Sequence, residues 1–173
     1  MARRQAWSDD VKRMLQQHLP PSLFSVLDGP ARVALTRRHT RRMGLFASAK
    51  MSAHIPWESE LEREYIEQLE ADASVLCFVA QPIRLDLVIS GRKRRHFPDF
   101  LVCRERSASL DEVKPDSRGE DPDVRALVAA AETACEQLGI GYRLVRESDI
   151  RKRPTLGKLE INKPRINRFN YTI

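Results

Sequence analysis

Two short acidic stretches decide how this sequence is read: Pro98-Asp99-Phe100-Leu101-Val102 and, further on, Leu110-Asp111-Glu112-Val113-Lys114. Each reads as a strand. Side chains alternate along a strand, so Glu112 and Lys114 share one face while Val113 turns toward the other. Pro98 cannot donate to a ladder and marks an edge or an opening just before Asp99. Asp99 can then point to the same place as Glu112. Hard divalent cations take oxygen ligands and keep several waters, so this group suits magnesium. Asp99 and Glu112 are the expected ligands, and the Val113 carbonyl could add one more. Lys114 could orient an attacking water or stabilise charge building on a phosphate. That is the minimum equipment for metal-assisted phosphodiester cleavage. The plainer reading of Glu112 and Lys114 is a surface ion pair, worth only about 0–1 kcal/mol.

Upstream, a helix is expected over about residues 58–72. At about 100° per residue, Leu61, Tyr65, Ile66 and Leu69 fall in one arc of about 140°, and Glu62 falls inside it. A carboxylate on an inward face costs free energy unless it is paired or bound to metal. Glu62 can therefore complete the acidic cluster. Ser59-x-x-Glu62 is also a capping-box pattern, in which Glu62 serves only the helix N-terminus. The spacing supports both readings equally.

The other elements follow from periodicity. A short helix is expected over residues 8–19, capped by Ser8 and stopped by Pro20-Pro21. Residues 22–50 read as an irregular arm. Strands are expected at 75–80, 83–89, 94–104 and 110–114, with a turn at Ser90-Gly91-Arg92 and a polar loop at 116–121. A long helix spans about 122–138, with Gly139 as its C′ residue. A last strand runs from Tyr142 to Val145. The order suggests an α/β fold with a mixed sheet flanked by helices and an N-terminal helical arm.

A chain of 173 residues has room for one domain with a sizeable core. Its 42% hydrophobic and 31% charged content fits a globular protein. No apolar run approaches membrane-span length, and the arginines of the N-terminus lack the apolar segment of a secretory signal. A cytoplasmic location without a membrane partner is expected. Cys77, Cys103 and Cys135 are read as free thiols, two in strands and one on a helix, and no zinc site is expected. The net charge of +6 is clustered. One run holds Arg37, Arg38, His39, Arg41 and Arg42, a second Arg92, Lys93, Arg94 and Arg95, and a third Arg151, Lys152 and Arg153. Such runs attract phosphate backbones. The second leads directly to Asp99 and is the expected contact to double-stranded DNA near the cleaved bond.

Helix Glu, Pro-Asp, then Glu-x-Lys is a pattern that resembles the PD-(D/E)XK nuclease superfamily. More narrowly, the chain resembles the N-terminal endonuclease domain of TnsA, which cleaves transposon ends. The matching segments are Gly44 to Lys50, Trp57 to Tyr65, Ala80-Gln81-Pro82, Phe97 to Val102 and Glu112 to Pro115, within residues 38–165. The resemblance implies a restriction-endonuclease-like sheet with Glu62, Asp99, Glu112 and Lys114 at the catalytic positions. It implies magnesium, replaceable by manganese, and cleavage of DNA at transposon 5′ ends. It also implies a DDE transposase subunit and an AAA+ regulator as partners. Gln81 is either a supporting residue near the site or a polar residue closing a strand. The expected organisation is an N-terminal helix and basic arm (1–50), a nuclease core (51–150) and a basic tail (151–173). The tail leaves no room for the C-terminal domain of larger TnsA proteins. A nuclease of the same fold in restriction, junction resolution or phage DNA processing shares these motifs. So does a non-catalytic DNA-binding module.

Overall fold

The structure, a computed structural model, describes residues 7–27, 31 and 42–152. The chain opens with α1 (Asp9–His18) and α2 (Pro21–Phe24), followed by a hairpin of β1 (Gly44–Ser48) and β2 (Ala53–Trp57). Next come α3 (Glu60–Ala71) and β3 (Val75–Ala80), then a second hairpin of β4 (Leu85–Ile89) and β5 (Arg92–His96). The remainder is β6 (Phe100–Arg104), β7 (Ser107–Lys114), α4 (Asp116–Gly119), α5 (Pro122–Gln137), β8 (Gly141–Arg146) and α6 (Glu147–Lys152).

The main sheet has the order β3-β6-β7-β8. β3, β6 and β7 run antiparallel in turn, and β8 lies parallel to β7. A parallel neighbour requires a crossover, which α4 and α5 supply. Helices α3 and α5 flank the sheet, with α5 packed on both β8 and β4. This is the mixed α/β architecture of restriction-endonuclease-like proteins, as expected. No helix among the described residues is long and apolar enough to cross a membrane.

Local chemistry explains the helix ends. Ser8 accepts from the Val11 N–H at 3.3 Å, and Ser59 accepts from the Glu62 N–H at 3.2 Å. Asp121 caps α5 through the Asp123 N–H at 2.9 Å. Gly139, at φ +74°, follows α5 in the left-handed conformation that a C′ glycine adopts without strain. The hairpin turn places both Ser90 (φ 50°) and Gly91 (φ 74°) at positive φ. That pair is what a tight twist-matched hairpin turn requires.

Three features differ from expectation. Residues 94–104 are not one strand: the backbone leaves the β4–β5 hairpin at His96 and enters the main sheet at Phe100. Pro98 sits in the break, where its missing N–H removes no ladder bond. Part of the segment read as irregular is ordered: Gly44–Ser48 pairs antiparallel with Ala53–Trp57. This hairpin is locked onto α3, because Ser48 Oγ donates to Glu70 at 2.6 Å and Lys50 Nζ donates to the carbonyls of Leu69 (2.8 Å) and Asp72 (2.6 Å). A lysine on the last carbonyls of a helix satisfies acceptors that have no partner within it. Finally, the loop at 116–121 contains α4, and α6 follows β8 without a gap. The helix expected over residues 8–19 is present as α1, and Val11 and Leu15 on it, with Leu19 and Leu23 after it, are buried in the common core.

All three cysteines are free and buried, with Cys77 in β3, Cys103 in β6 and Cys135 in α5. Strand β7 carries an unexpected burden. Asp111 is wholly buried, on the face opposite Glu112. Tyr65 Oη donates to its Oδ2 and Ser109 Oγ donates to its Oδ1 at 2.6 Å. Arg143 Nη1 stands 3.8 Å away. Burial pushes the Asp111 pKa up, while the bonds from Ser109 and Tyr65 and the charge of Arg143 pull it back. Tyr65 also packs edge-on against Phe100, with ring centroids 5.7 Å apart. One residue therefore ties α3 to two strands. Tyr65→Phe keeps the packing and removes one donor from a buried acid. Urea unfolding should show a loss of about 1–3 kcal/mol; an unchanged midpoint would mean that Asp111 draws nothing from Tyr65.

Candidate active site

The break between the two sheets is where the acidic residues meet. Asp99 is held from two sides. Its carbonyl accepts from the Gln81 N–H at 2.8 Å, and its Oδ2 accepts from the Val113 N–H at 2.8 Å. The second bond fixes the Asp99 side chain beside β7 between Glu112 and Lys114. Gln81 is buried at the end of β3, at φ 46°. A non-glycine residue in that region is strained, and such strain persists only where the surroundings over-determine it. Gln81 thus closes the strand, and its backbone N–H holds the Asp99 backbone.

Glu112 is almost fully buried, and Lys114 Nζ donates to its Oε1. The pair is therefore not the exposed surface pair of the plainer reading. Burial works against the Lys114 ammonium, but Glu112, Asp99 and Glu62 outweigh it and hold its pKa above the ordinary lysine value. Burial pushes the Glu112 pKa up despite Lys114.

Glu62 is half-buried on the first turn of α3. Its Oε2 accepts from the Glu58 N–H at 2.7 Å, and Ser59 Oγ donates to its Oε1 at 3.0 Å. The local capping role is real, with the bond displaced by one residue to the N–H of Glu58. The carboxylate also feels the acidic cluster. Burial and the charge of Asp99 raise the Glu62 pKa to about 7. Burial and the charge of Glu112 raise that of Asp99 to about 7 as well. Acids that raise one another's pKa share one electrostatic site.

Three carboxylates in mutual repulsion are the donor chemistry a hard cation takes. Among the described residues, however, no three His, Cys, Asp or Glu side chains are gathered as a ready metal cage. Their present bonds explain this: Glu62 is turned to the helix start, Asp99 to the Val113 N–H and Glu112 to Lys114. One atom is left over. Glu112 Oε2 is buried with no hydrogen-bond partner among the described residues. The residues fit a divalent cation in kind, and holding one would require the carboxylates to turn from these partners.

Two further residues reach this cluster, and neither carried a motif signal. His96 Nε2 lies 3.6 Å from Glu112 Oε2 and 2.9 Å from Tyr142 Oη. Burial, with Lys114 and Arg94, pushes the His96 pKa down to about 4, so the ring is neutral near pH 7. The available signal was positional: His96 pairs with Leu85, on the apolar face of the hairpin. The four basic residues before it, Arg92 to Arg95, are all exposed. They pair with Asp86, Leu87, Val88 and Ile89, and Lys93, Arg94 and Arg95 line a cleft with the first three of these. Of the other basic runs, Arg37, Arg38, His39, Arg41 and Arg153 lie outside the described residues. Arg151 is engaged within the fold by Glu64 at 2.9 Å and by Glu147.

The mixed sheet flanked by helices is consistent with a restriction-endonuclease-like fold. Residues 72–147 match the family model described as TnsA-like endonuclease N terminal. Over this segment, from the end of α3 through β8, the chain is similar to that family, and the match supports the part of the resemblance carried by Ala80-Gln81-Pro82, Phe97 to Val102 and Glu112 to Pro115. Asp99, Glu112 and Lys114 fall inside the match, and Glu62 lies before it. No curated protein matches the sequence.

The raised carboxyl pKa values set a direction for stability. Glu62 and Asp99 move from ordinary values of 4.5 and 3.8 to about 7. The folded protein then binds more protons than the unfolded chain between these limits. The penalty for charging them is absent below pH about 4, grows as pH rises and is complete above about 7. The urea midpoint of the metal-free protein should therefore fall between pH 5 and pH 8. Asp99→Asn should flatten that fall, and an identical slope in the variant would show that Asp99 is not its source.

Proposed function

We propose that this protein is a magnesium-dependent DNA endonuclease that cuts phosphodiester bonds at the 5′ ends of a transposon. A DDE transposase subunit would act beside it, and an AAA+ regulator would control the pair. The observation that carries the reading is the meeting of Asp99, Glu112 and Lys114 at one break in the sheet, within the family-matched segment. Asp99, Glu112 and Glu62 would hold magnesium or manganese, with the Val113 carbonyl as a further ligand. Bound there, the cation would polarise the phosphate and lower the pKa of a bound water.

The remaining work falls to the chain itself. Carboxyls with pKa values near 7 must lose their protons before they act as ligands, so metal binding should release protons and weaken as pH drops through 7. Lys114 is charged and anchored on Glu112, which places its ammonium beside the group that would carry the cation. From there it can orient the attacking water or stabilise the charge that builds on the phosphate. The Val113 N–H sets the direction of Asp99 before a cation binds. Arg92, Lys93, Arg94 and Arg95 would grip the DNA backbone four to seven positions ahead of Asp99 in the chain.

Asp99→Ala and Glu112→Ala should each abolish magnesium-dependent cutting of a transposon-end duplex, assayed with the transposase partner present. Circular dichroism should remain native. Cutting that persists in both variants would remove this site from consideration. Neutralising Arg92 and Arg95 together should lower the slope of log K against log salt by about 1–2, since each lost phosphate contact contributes about 0.9. An unchanged slope would make the hairpin a solvated turn.

A further inference from the structure

Glu112 Oε2 is a buried acceptor with no donor among the described residues. A carboxylate oxygen in that position carries a desolvation cost that one hydrogen bond would remove. The donor within reach is His96, whose Nε2 stands 3.6 Å away. Closing that gap to hydrogen-bond length needs a movement of about 0.7 Å. The same Nε2 is 2.9 Å from Tyr142 Oη. Both rings are 8% exposed, and they meet edge to face with centroids 6.1 Å apart. Three strands, β5, β7 and β8, thus bring one polar atom each to a single buried point.

We propose that His96 is a positioning residue of the cleavage site, whose Nε2–H passes between Tyr142 Oη and Glu112 Oε2 and fixes the carboxylate as it turns from Lys114 toward a cation. The inference rests on the nuclease reading of Glu112 given above. A neutral imidazole carries one N–H, and the other nitrogen offers a lone pair. A lone pair aimed at a carboxylate oxygen would be repelled, so the proton belongs on Nε2. The Tyr142 hydroxyl both donates and accepts, so it can take the Nε2–H when Glu112 is held by Lys114 and release it when Glu112 moves. Acidic ligands are commonly held in this way by a second group, whose loss costs about 10–100-fold in metal affinity. His96 also ends the basic hairpin, so the strand that would meet DNA terminates on the carboxylate that would meet metal.

Two measurements test this. Long-range proton–nitrogen correlation on the metal-free protein reads the His96 tautomer directly, with His96→Gln assigning the signal. The expected result is Nε2–H. A proton on Nδ1 would overturn the proposal. The second is calorimetric titration of manganese into the protein bound to a short duplex, for wild type, His96→Leu, His96→Gln and Glu112→Gln. His96→Leu should weaken binding about 10–100-fold, and His96→Gln, whose amide reaches the Nε2 position, should recover most of it. Equal affinity in wild type and His96→Leu would overturn the role of His96 and leave the metal site standing. A wild type that binds no manganese would overturn the metal site and this role together. Should His96→Leu fail to fold, Tyr142→Phe decides. Freed from the hydroxyl, Nε2–H is left to Glu112, so binding should hold or tighten, and a tenfold loss would overturn the proposal.

Discussion

Strand β7 buries two acids on opposite faces, and the rest of the site depends on how each is treated. Asp111 is supplied with donors by Tyr65 and Ser109 and has an arginine nearby. It is a structural acid, and its partners rigidify the contact between α3 and the sheet. Glu112, one residue on, has a lysine on one oxygen and, among the described residues, no hydrogen-bond partner on the other. Burial costs both groups free energy, yet among the described residues only Asp111 has a hydrogen-bond donor on each oxygen. An incompletely satisfied buried acid is expected where something else is to bind. The contrast within one strand supports the proposed functional role of Glu112 without reference to any motif.

The position of the site follows from the break at Phe97-Pro98-Asp99. A continuous strand from 94 to 104 would have put Asp99 within a ladder, with its direction set by the pleat. By ending β5 at His96 and starting β6 at Phe100, the chain frees Asp99 from the ladder. Its orientation is set instead by the Gln81 and Val113 N–H groups. The strained backbone of Gln81 is the cost of that arrangement. Orientation by backbone donors is stiff, and an acid whose direction must be constant gains from it.

Much of this was legible in the sequence because its signals are local. The caps at Ser8 and Ser59, the glycine after α5 and the alternation of Glu112 with Lys114 depend on spacing within a few residues. Glu62 was legible as ambiguous, and the structure explains why: the same carboxylate meets the helix start and the Asp99 field. What the sequence hid depends on distant partners. β1 was read as irregular because Gly44-Leu45-Phe46-Ala47-Ser48 has no clean alternation, and its stability comes from β2 and from Ser48 and Lys50 on α3. Asp111 looked like one more acid in a run, since its donor lies 46 positions away on Tyr65. His96 looked like the end of a basic run because Tyr142 is equally remote.

The capping of Glu62 bears on how such a site avoids binding metal indiscriminately. Each carboxylate has an internal partner at rest: the Glu58 N–H, the Val113 N–H or Lys114. A helix cap contributes about 1 kcal/mol, and a charge-assisted bond about 1.5–3 kcal/mol. A cation would have to displace partners of this strength, and at pH below 7 it would also displace protons from Glu62 and Asp99. The closed arrangement therefore lowers the intrinsic metal affinity. On the proposed reading, a DNA phosphate held beside the carboxylates by the Arg92–Arg95 hairpin would add further oxygen ligands, so substrate and cation would bind with positive coupling. In a nuclease that must cut only at assembled ends, a site that is poor without DNA is an advantage, and the orphaned oxygen of Glu112 is the atom through which that coupling would start.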